Sequence, residues 1–276
     1  LPHQTRRRLE NTLREVVRRS SPASLTVARD LAVLGYAVDV FDEGAALGGM
    51  MRSQIPKFRL PDAVIDEECA YITGLGQVTV HRTRVNSLKE MLTRDYDAVF
   101  VGTGAPRGKG LDIPGQEAGA SNIHTGIEWL ASVSFGHTTS IGRRVIVLGG
   151  GNTAMDCCRT ARRLGGADVK VIVRSGFEEM KASPWEKEDA IHEDIPILNF
   201  LTPKAFVIRD GKLAGVTFEK VKAVYDEKGR RSLVPTGEPD VTHDCDDVLV
   251  AIGQDNAFPW IERDAGIEFD RWGLPV

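Results

Sequence analysis

The sequence predicts an α/β fold in two parts, each built around a parallel sheet and one inserted into the other. From residue 21 onward, helical and strand-like patterns alternate, which is typical of parallel sheets covered on both faces. A strand–turn–helix unit opens each part, one before Gly35 and one from Arg144. Two apolar runs end in Thr103-Gly104 and Ile252-Gly253, and their similarity predicts two crossings of the chain between the parts.

The first part is expected to alternate three helices with three strands. Glycine commonly stops a helix, so the first helical pattern should end at Gly35. The run Ala98-Val99-Phe100-Val101 is continuously apolar, as in a buried parallel strand. The expected order is helix 23–35, strand 37–41, helix 62–74, strand 78–80, helix 87–93 and strand 98–101.

The second part follows a segment rich in glycine and proline, residues 105–120, which we interpret as a linker. Two long alternating stretches predict antiparallel hairpin strands, with Asp210-Gly211 as the turn. The expected elements are strand 145–148, helix 153–164, strand 169–173, hairpin strands within 205–225 and 230–243, and a buried strand at 248–252.

Composition sets outer limits on function. The chain has 276 residues, enough for two domains, and its 42% hydrophobic and 27% charged content is ordinary for a globular protein. A net charge of -4 argues against nucleic acid or an anionic membrane as the main partner. No apolar run approaches the roughly 20 residues of a transmembrane helix. The four cysteines lack Cys-x-x-Cys spacing, so we expect no metal site and a reducing compartment, the cytoplasm.

Residues 1–20 form a basic N-terminal extension with six arginines and two glutamates. The helical spacing of Leu9, Leu13, Val16 and Val17 allows a basic amphipathic helix. Such a helix could target an organelle or dock a partner, or the segment could be a solvated leader or unrelated sequence. We favour the last two interpretations.

A glycine turn in the middle of the chain carries the first functional signal. Gly149-x-Gly151-x-x-Ala154 follows an apolar strand and opens a helix, the context of a Rossmann-like dinucleotide-binding turn. Gly149 permits the tight turn, Gly151 lets a diphosphate approach the backbone, and Ala154 allows close helix packing. The N–H groups of residues 151–155, with Asn152 and Thr153 among them, would hold the negative charge.

The end of the next strand predicts which dinucleotide is bound. An acidic residue there would bind the ribose hydroxyls of NAD, but this chain has Arg174, with Lys181 a few residues later. Two cations suit the additional phosphate of NADP(H).

An earlier unit resembles a second such site that has lost its glycines. Asp42 ends a strand about 20 residues after the turn, where an acid would bind an adenosine ribose, and Gly48-Gly49-Met50 supplies a close-approach loop. However, Arg19, Ser21 and Ser24 stand where the three glycines belong. A Cβ at Ser21 would occupy the space of the diphosphate, so we expect this site to be weakened.

Two further pairs of residues have alternative interpretations. Cys157 and Cys158 could form a strained disulfide, but on a helix facing a sheet we interpret them as small apolar fillers. Asp156 and Glu186 could act as a general acid pair, but we interpret them as helix-surface or loop charges. No residue is assigned a catalytic role.

Taken together, the ordered motifs resemble the flavin-dependent pyridine nucleotide oxidoreductases of the glutamate synthase small-subunit type. The similarity extends to the flavin/NADPH part of dihydropyrimidine dehydrogenase and covers about residues 21–276. The matching segments are Gly48-Gly49-Met50, 55–61 (IPKFRLP), Gly102-Thr103-Gly104, 149–156, 174–177 (RSGF), Ala251-Ile252-Gly253 and 270–275 (DRWGLP).

The resemblance implies two cofactors, FAD and NADP(H), and an electron-accepting iron–sulfur protein or subunit. It implies an FAD-binding domain at 21–118 and 247–276 and an inserted NAD(P)H-binding domain at 119–246. Hydride would pass from NADPH to FAD, and electrons onward to the partner. It assigns the FAD ribose to Asp42, the flavin side to Arg59, the cofactor lining to Thr103 and Gly104, the NADP phosphate to Arg174 and Lys181, and the nicotinamide to Gly253.

Three departures from that family motivate a second hypothesis. The first glycine turn is replaced, the family's cysteine-rich cluster domain does not precede it, and the sequence ends before the family's Gly-Asp segment for FAD. The FAD-binding domain is therefore expected to be incomplete. The alternative is a non-catalytic NADP(H)-binding fragment that is unable to retain FAD.

Overall fold

The computed structural model describes residues 21–276, so the predicted extension at 1–20 and Arg19 lie outside the described residues. The chain divides into two compact units. The first runs to Arg107 and resumes at Asn256, and the second is the continuous segment Gly108–Asp255. The predicted insertion of one unit into the other in sequence is therefore observed.

The boundaries of the insertion differ from the predicted 119 and 246. The glycine- and proline-rich linker belongs with the second unit, because Leu111 and Ile113 pack on its core and the N–H of Phe206 donates to the carbonyl of Pro114 at 2.8 Å. The strand that begins at Asp247 also lies within the sheet of the second unit. Residues 247–255 were therefore wrongly assigned to the first unit.

The first unit contains four helices and a pair of parallel strands among its described residues. Its helices are α1 (Pro22–Val33), α2 (Gly49–Ser53), α3 (Asp62–Thr73) and α4 (Leu88–Leu92), and its strands are β1 (Val38–Phe41) and β2 (Val78–His81). Val38 lies opposite Val78, and both strands run in the same direction. Leu25 and Ala28 of α1 and Ile65 of α3 pack with β1 in one hydrophobic cluster.

Helix α1 shows how the local sequence sets its ends. The Ser21 hydroxyl accepts a hydrogen bond from the Ser24 N–H at 3.2 Å, and Pro22 occupies the first turn, where its missing N–H costs nothing. The helix stops before Gly35, whose φ of +90° lies in the left-handed region. The predicted glycine stop is confirmed.

Within the described residues, 98–101 do not form the predicted strand. A strand requires a hydrogen-bonded neighbour, and within the described residues no strand pairs with this segment. Its apolar residues are nevertheless used, because Val99 and Val101 pack against a cluster that contains Met91 and Trp260. The apolar character of residues 98–101 therefore predicts their burial correctly, but it does not predict their conformation.

The second unit holds most of the strands. From the crossing at Arg107 onward the strands are β3 (Arg107–Gly108), β4 (Ile123–Thr125), β5 (Arg144–Leu148), β6 (Asp168–Ile172), β7 (Ile197–Leu198), β8 (Leu201–Arg209), β9 (Lys212–Tyr225), β10 (Arg231–Pro235), β11 (Val241–Asp244), β12 (Asp247–Val250) and β13 (Gln254–Asp255). Its helices are α5 (Gly126–Ser134), α6 (Asn152–Arg163) and α7 (Pro184–His192), with a 3₁₀ turn at Ala120–Asn122.

Five of these strands form a parallel sheet in the order β4-β12-β5-β6-β7. Alternate residues of a strand point to opposite faces, and β5 follows this rule. Val145 and Val147 pack with helical residues such as Ala154, whereas Ile146 and Leu148 pack with Phe218 of β9. The sheet is thus covered by helices on one face and by antiparallel strands on the other.

The antiparallel layer is organised around β9, which pairs with β8, β10 and β11. The predicted hairpin turn is present: Asp210 and Gly211 have φ values of +52° and +72°. Two consecutive positive φ values suit the right-handed twist of the strands that they join. Short strands β3 and β13 pair with each other.

Among the described residues, no helix is both long enough and apolar enough to cross a membrane.

Candidate functional site

The glycine turn after β5 has the geometry that its sequence predicted. Gly149 has a φ of +137°, and a Cβ built on it would lie 2.2 Å from the carbonyl oxygen of Ala251. Gly150 is enclosed by Val173 and Met180, whose side-chain atoms would lie 3.1 and 3.2 Å from its Cβ. A Cβ on Gly151 would meet no atom within 4 Å. The turn therefore faces open space at Gly151 only.

Helix α6 begins at this open space. Gly151 is its N-cap residue and supplies no side-chain hydrogen bond to the first turn. The first N–H groups of a helix lack intrahelical acceptors, and its dipole places partial positive charge there. Ala154 is fully buried against the sheet, so the helix approaches β5 closely. The residues present fit an anionic diphosphate, with backbone N–H donors and room for its oxygens.

Asn152 joins this helix start to a loop rather than leaving its side chain free. Its Oδ1 accepts the Ser183 N–H at 2.8 Å, and its Nδ2 lies 3.4 Å from the Ser183 hydroxyl. The N–H of Ala182 also donates to the carbonyl of Gly150 at 2.9 Å. The end of the loop that follows β6 is therefore attached directly to the glycine turn. Thr153 is half-buried beside it.

Residues 174–183, which we call the β6–α7 loop, carry both cations that the sequence singled out, together with the exposed carboxylates of Glu178 and Glu179. The side chains of Arg174 and Lys181 are exposed, and neither forms an ion pair within the described part of the chain. The Asn199 amide donates to the Ser175 carbonyl at 2.9 Å, which holds the start of the loop beside the end of β7. The loop therefore carries two exposed cations next to the segment that contacts the glycine turn.

Gly253 lies at the same edge of the parallel sheet. The N–H of Ala251 donates to the carbonyl of Leu148 at 2.8 Å, so the chain after β12 runs beside the chain after β5. Gly253 has a φ of +128°, and its carbonyl accepts the Lys109 N–H at 3.0 Å. In open α/β sheets ligands bind outside the carboxyl ends of the strands, and this edge has that position.

In the first unit, Asp42 follows β1 and is buried. Its Oδ1 accepts the Gly44 N–H at 2.8 Å, which folds the next residues back over the strand end. Gly48 has a φ of +118°, and a Cβ there would lie 2.7 Å from Ile65. Gly49 also has a positive φ, and the Met50 side chain beside it is 47% exposed. The loop predicted to approach a cofactor therefore has two glycines in a backbone conformation that few other residues adopt.

Thr103 and Gly104 form a second feature of the first unit. The Thr103 hydroxyl is buried and has no hydrogen-bond partner among the described residues. Burying such a group without a partner costs about 1–3 kcal/mol, so a polar ligand atom fits there. Gly104 has a φ of +66° and no atom near its Cβ position, and Arg59 lies exposed on the turn that follows Pro56.

The two serines at the start of α1 replace glycines in different ways. Ser24 is fully buried, and its hydroxyl donates to the Gly102 carbonyl at 3.4 Å. The Ser21 hydroxyl instead occupies the helix start, where it accepts the Ser24 N–H and lies 2.9 Å from the Ser24 hydroxyl. The N-terminus of α1 is thus capped by its own side chain, in contrast to the bare Gly151 of α6.

Asp156 and Glu186 are not the helix-surface or loop charges that we predicted. Their exposed fractions are 6% and 2%, because the face of α6 that carries Asp156 and Arg159 packs towards α7. Arg159 Nη1 lies 3.3 Å from Glu186 Oε2. Arg159 follows Asp156 by three residues and therefore lies on the same face of the helix. This spacing was the sequence pattern that could have predicted a buried network of charges.

The cysteine interpretation is confirmed. Cys157 and Cys158 are both free and fully buried within the core that α6 forms with the sheet. Burial raises the pKa of the Cys158 thiol to about 12 and raises that of Cys157 well above its ordinary value. Both are therefore protonated apolar fillers.

A polar cavity of about 480 Å³ lies beside the first residues of β4 and β12, and no sequence motif predicted it. Asp247 lies at its wall and accepts hydrogen bonds from Asn122 Nδ2 at 3.0 Å and the Gly142 N–H at 2.7 Å, with His124 Nε2 3.3 Å away. Burial alone would raise the pKa of Asp247, but these hydrogen bonds outweigh it and hold the pKa below its ordinary value.

The family model for the pyridine nucleotide-disulphide oxidoreductases matches residues 20–276. The chain belongs to this family. Membership confirms the predicted class, an oxidoreductase that uses a pyridine nucleotide, and supports the predicted cofactor types, NADP(H) and FAD. The narrower glutamate synthase small-subunit type stays a prediction.

Other members of the family are similar over most of the chain. The β subunit of the NADP⁺-dependent formate dehydrogenase of Moorella thermoacetica is 35% identical over 240 residues, which are 85% of this chain and 34% of that protein. The β subunit of the NADPH-Fe(3+) oxidoreductase of Geobacter sulfurreducens is 32% identical over 266 residues, 93% of this chain and 39% of that protein. The chain therefore spans little more than a third of the length of these relatives.

Solved structures support the fold that was predicted. FprA from Mycobacterium tuberculosis, solved in complex with NADPH, matches with a TM-score of 0.78 at 16% identity, over 95% of this chain and 74% of that one. Its likeness confirms the predicted α/β fold. The roles of individual residues rest on the geometry described above.

Proposed function

We propose that the chain is the nucleotide- and flavin-binding part of an oxidoreductase that transfers hydride from NADPH to FAD. The observation that carries the proposal is the uncapped start of α6 at Gly151, joined by Asn152 to a loop that presents Arg174 and Lys181. A diphosphate with a 2′-phosphate on the adjoining ribose has the charge that this arrangement would bind.

In this proposal the residues of the second unit that the sequence singled out bind or orient NADPH. The backbone of Gly149 to Ala154, with the N–H groups of Asn152 and Thr153, holds the diphosphate, and Gly149 keeps the turn tight against Ala251. Arg174 and Lys181 bind the 2′-phosphate. Gly253, at the same sheet edge, leaves room for the nicotinamide.

The first unit is proposed to hold FAD, which supplies an acceptor for hydride when it is bound. Asp42 would accept hydrogen bonds from the adenosine ribose, while Gly48, Gly49 and Met50 approach the cofactor. The buried Thr103 hydroxyl would gain the partner that it lacks among the described residues, with Gly104 beside it. Arg59 would contact the flavin side.

The electron acceptor is proposed to be an iron–sulfur protein or subunit. Two relatives that share this region are named as β subunits, one of them of an Fe(3+) oxidoreductase, which supports transfer to an iron-containing partner. Four buried free cysteines suit a reducing compartment, and we propose the cytoplasm.

A second candidate function is a non-catalytic NADP(H)-binding module that does not retain FAD. It is favoured by Ser21, whose hydroxyl caps α1 at the place where a diphosphate would use the helix N–H groups. In this case the second unit would bind NADPH as described, and no electrons would pass to flavin.

Titrations of the purified chain distinguish the two. Calorimetry with NADPH and NADH should show tighter binding of NADPH, and Arg174→Ala should reduce that preference by about tenfold, as for a lost charge-assisted hydrogen bond. Equal affinity for the two coenzymes would contradict both functions. A separate titration with FAD, followed by flavin absorbance and NADPH-dependent dye reduction, decides between the flavoenzyme and the binding module.

A further inference from the structure

A buried lysine contacts the middle of the β6–α7 loop. Lys187 is 7% exposed, and its ammonium group donates to the Phe177 carbonyl at 3.1 Å. The same ammonium lies 4.3 Å from the centroid of the Phe177 ring. Within the described residues no carboxylate lies within 4.0 Å of it. The buried charge is therefore stabilised by one residue of the loop, through its carbonyl dipole and its ring.

Phe177 lies midway between the two exposed cations of the loop. The loop is held at its start by the Asn199 amide and at its end by the hydrogen bonds of Ala182 and Ser183 to the glycine turn. Between these ends, Glu179 lies 3.7 Å from Arg231, and Met180 is buried in the core. Lys187 adds the contacts to the carbonyl and the ring of Phe177.

Helix α7, which carries Lys187, is itself fixed to α6. Arg159 of α6 lies 3.3 Å from Glu186, 2.9 Å from Asp189 and 2.9 Å from Glu193 of the following segment. Lys187 therefore belongs to a helix, α7, that ion pairs hold against α6. The N-terminus of α6 faces the proposed diphosphate. Through α6, α7 and the contact of Lys187 with Phe177, the proposed diphosphate site is connected with the loop that carries the proposed 2′-phosphate site.

We propose that Lys187 is a positioning residue for coenzyme selectivity. By holding Phe177, it fixes the loop in the conformation in which Arg174 and Lys181 converge on a 2′-phosphate, and so favours NADPH over NADH. This inference rests on the proposed function. Lys187 does not contact the coenzyme.

The test is the ratio of NADH to NADPH dissociation constants, measured by calorimetry on the full chain. Lys187→Met keeps an unbranched side chain as far as Cε and removes the ammonium group with its charge and donors. It should lower the ratio by about tenfold, the effect of losing a hydrogen bond from a charged donor. Lys187→Arg restores both and should recover most of the ratio. Lys220→Met is the matched control, because Lys220 is on β9 and, in the part of the chain that the structure describes, pairs only with exposed Glu238.

The outcomes separate this inference from the function on which it rests. If the unchanged chain does not prefer NADPH, the proposed function fails. If it prefers NADPH and Arg174→Ala removes the preference while Lys187→Met retains it, only the inference is overturned. If Lys187→Met does not fold, Phe177→Leu takes its place, since it removes the ring and keeps the carbonyl. That variant should lower the ratio by about threefold, and an unchanged ratio would overturn the inference.

Discussion

Gly149 and Ala251 approach each other so closely that no side chain fits between them. A Cβ on Gly149 would lie 2.2 Å from the carbonyl oxygen of Ala251 and 2.7 Å from its carbonyl carbon. These residues follow β5 and β12, neighbours in the parallel sheet. The contact therefore fixes the edge of the sheet where the glycine turn begins.

Gly149→Ala should destabilise the second unit. The substitution adds the contact with Ala251 to a φ of +137°, which an L residue rarely adopts, and strain of this kind costs about 1–3 kcal/mol. Urea unfolding curves would measure the loss. Gly165→Ala is the control, because Gly165 also has a positive φ of +107° but no atom near its Cβ position. If both variants lose the same stability, the contact with Ala251 is not the cause.

Gly151→Ala should leave stability nearly unchanged and weaken NADPH binding. Its Cβ meets no protein atom, and its backbone φ of -102° and ψ of 175° are accessible to alanine. Stability should change by less than about 1 kcal/mol. NADPH binding should weaken by about tenfold or more, because the methyl group takes the space of the diphosphate. Calorimetry would measure NADPH affinity and melting curves would measure stability on the same preparation. If the variant binds NADPH as tightly as the unchanged chain, the diphosphate does not lie against Gly151.

Asp247→Asn should lower stability at neutral pH by about 1–3 kcal/mol, since Asp247 is a buried carboxylate acceptor. The pKa of Asp247 is held below its ordinary value of 3.8 in the folded state. Its ionised form therefore stabilises the fold above that value, and the contribution is lost as the pH falls through the folded pKa. The difference between the two proteins should be constant near neutrality and shrink below about pH 4.

Urea unfolding at a series of pH values tests this expectation. Asp240→Asn serves as the control, because Asp240 pairs with Lys204 at the surface and exposed pairs contribute little. A wild-type advantage that does not shrink in acid would show that the hydrogen bonds of Asp247 do not depend on its charge.

The cysteines should be unreactive until the protein unfolds. All four are buried and free, and burial raises the pKa of Cys158 and of Cys245 to about 12. The thiolate is the reactive form, so a thiol reagent at pH 8 should label none of them in the folded protein. In urea all four should react. A thiol that reacts rapidly without urea would contradict the burial described for that residue.

Sequence patterns predicted the features that depend on local backbone requirements. The stop at Gly35, the Asp210-Gly211 turn and the Gly149-to-Gly151 turn each need a conformation that few residues adopt, so the residue type reports the geometry. The insertion of one unit into the other was also predictable, because the two apolar runs end in similar glycine segments.

Features that depend on distant partners were predicted less well. The strand at 98–101 was expected from its apolar character alone, but a strand also needs a neighbour. The domain boundaries were misplaced because nothing local shows that the strand from Asp247 pairs with β5. The sequence predicts Asp156 and Glu186 as surface charges, because burial of a carboxylate depends on an arginine brought close by packing. Lys187 was missed for the same reason.

The N-terminus of α6 has no side-chain cap, so a bound coenzyme would itself stabilise the start of that helix. Helix α1 is completed by the Ser21 hydroxyl, whereas α6 starts at a glycine that contributes none. A bound anion would take the place of the missing cap, so ligand and secondary structure would form together. In hydrogen exchange, the amides of the first turn of α6 should therefore be the first to open in the coenzyme-free protein and the most strongly slowed when NADPH is added.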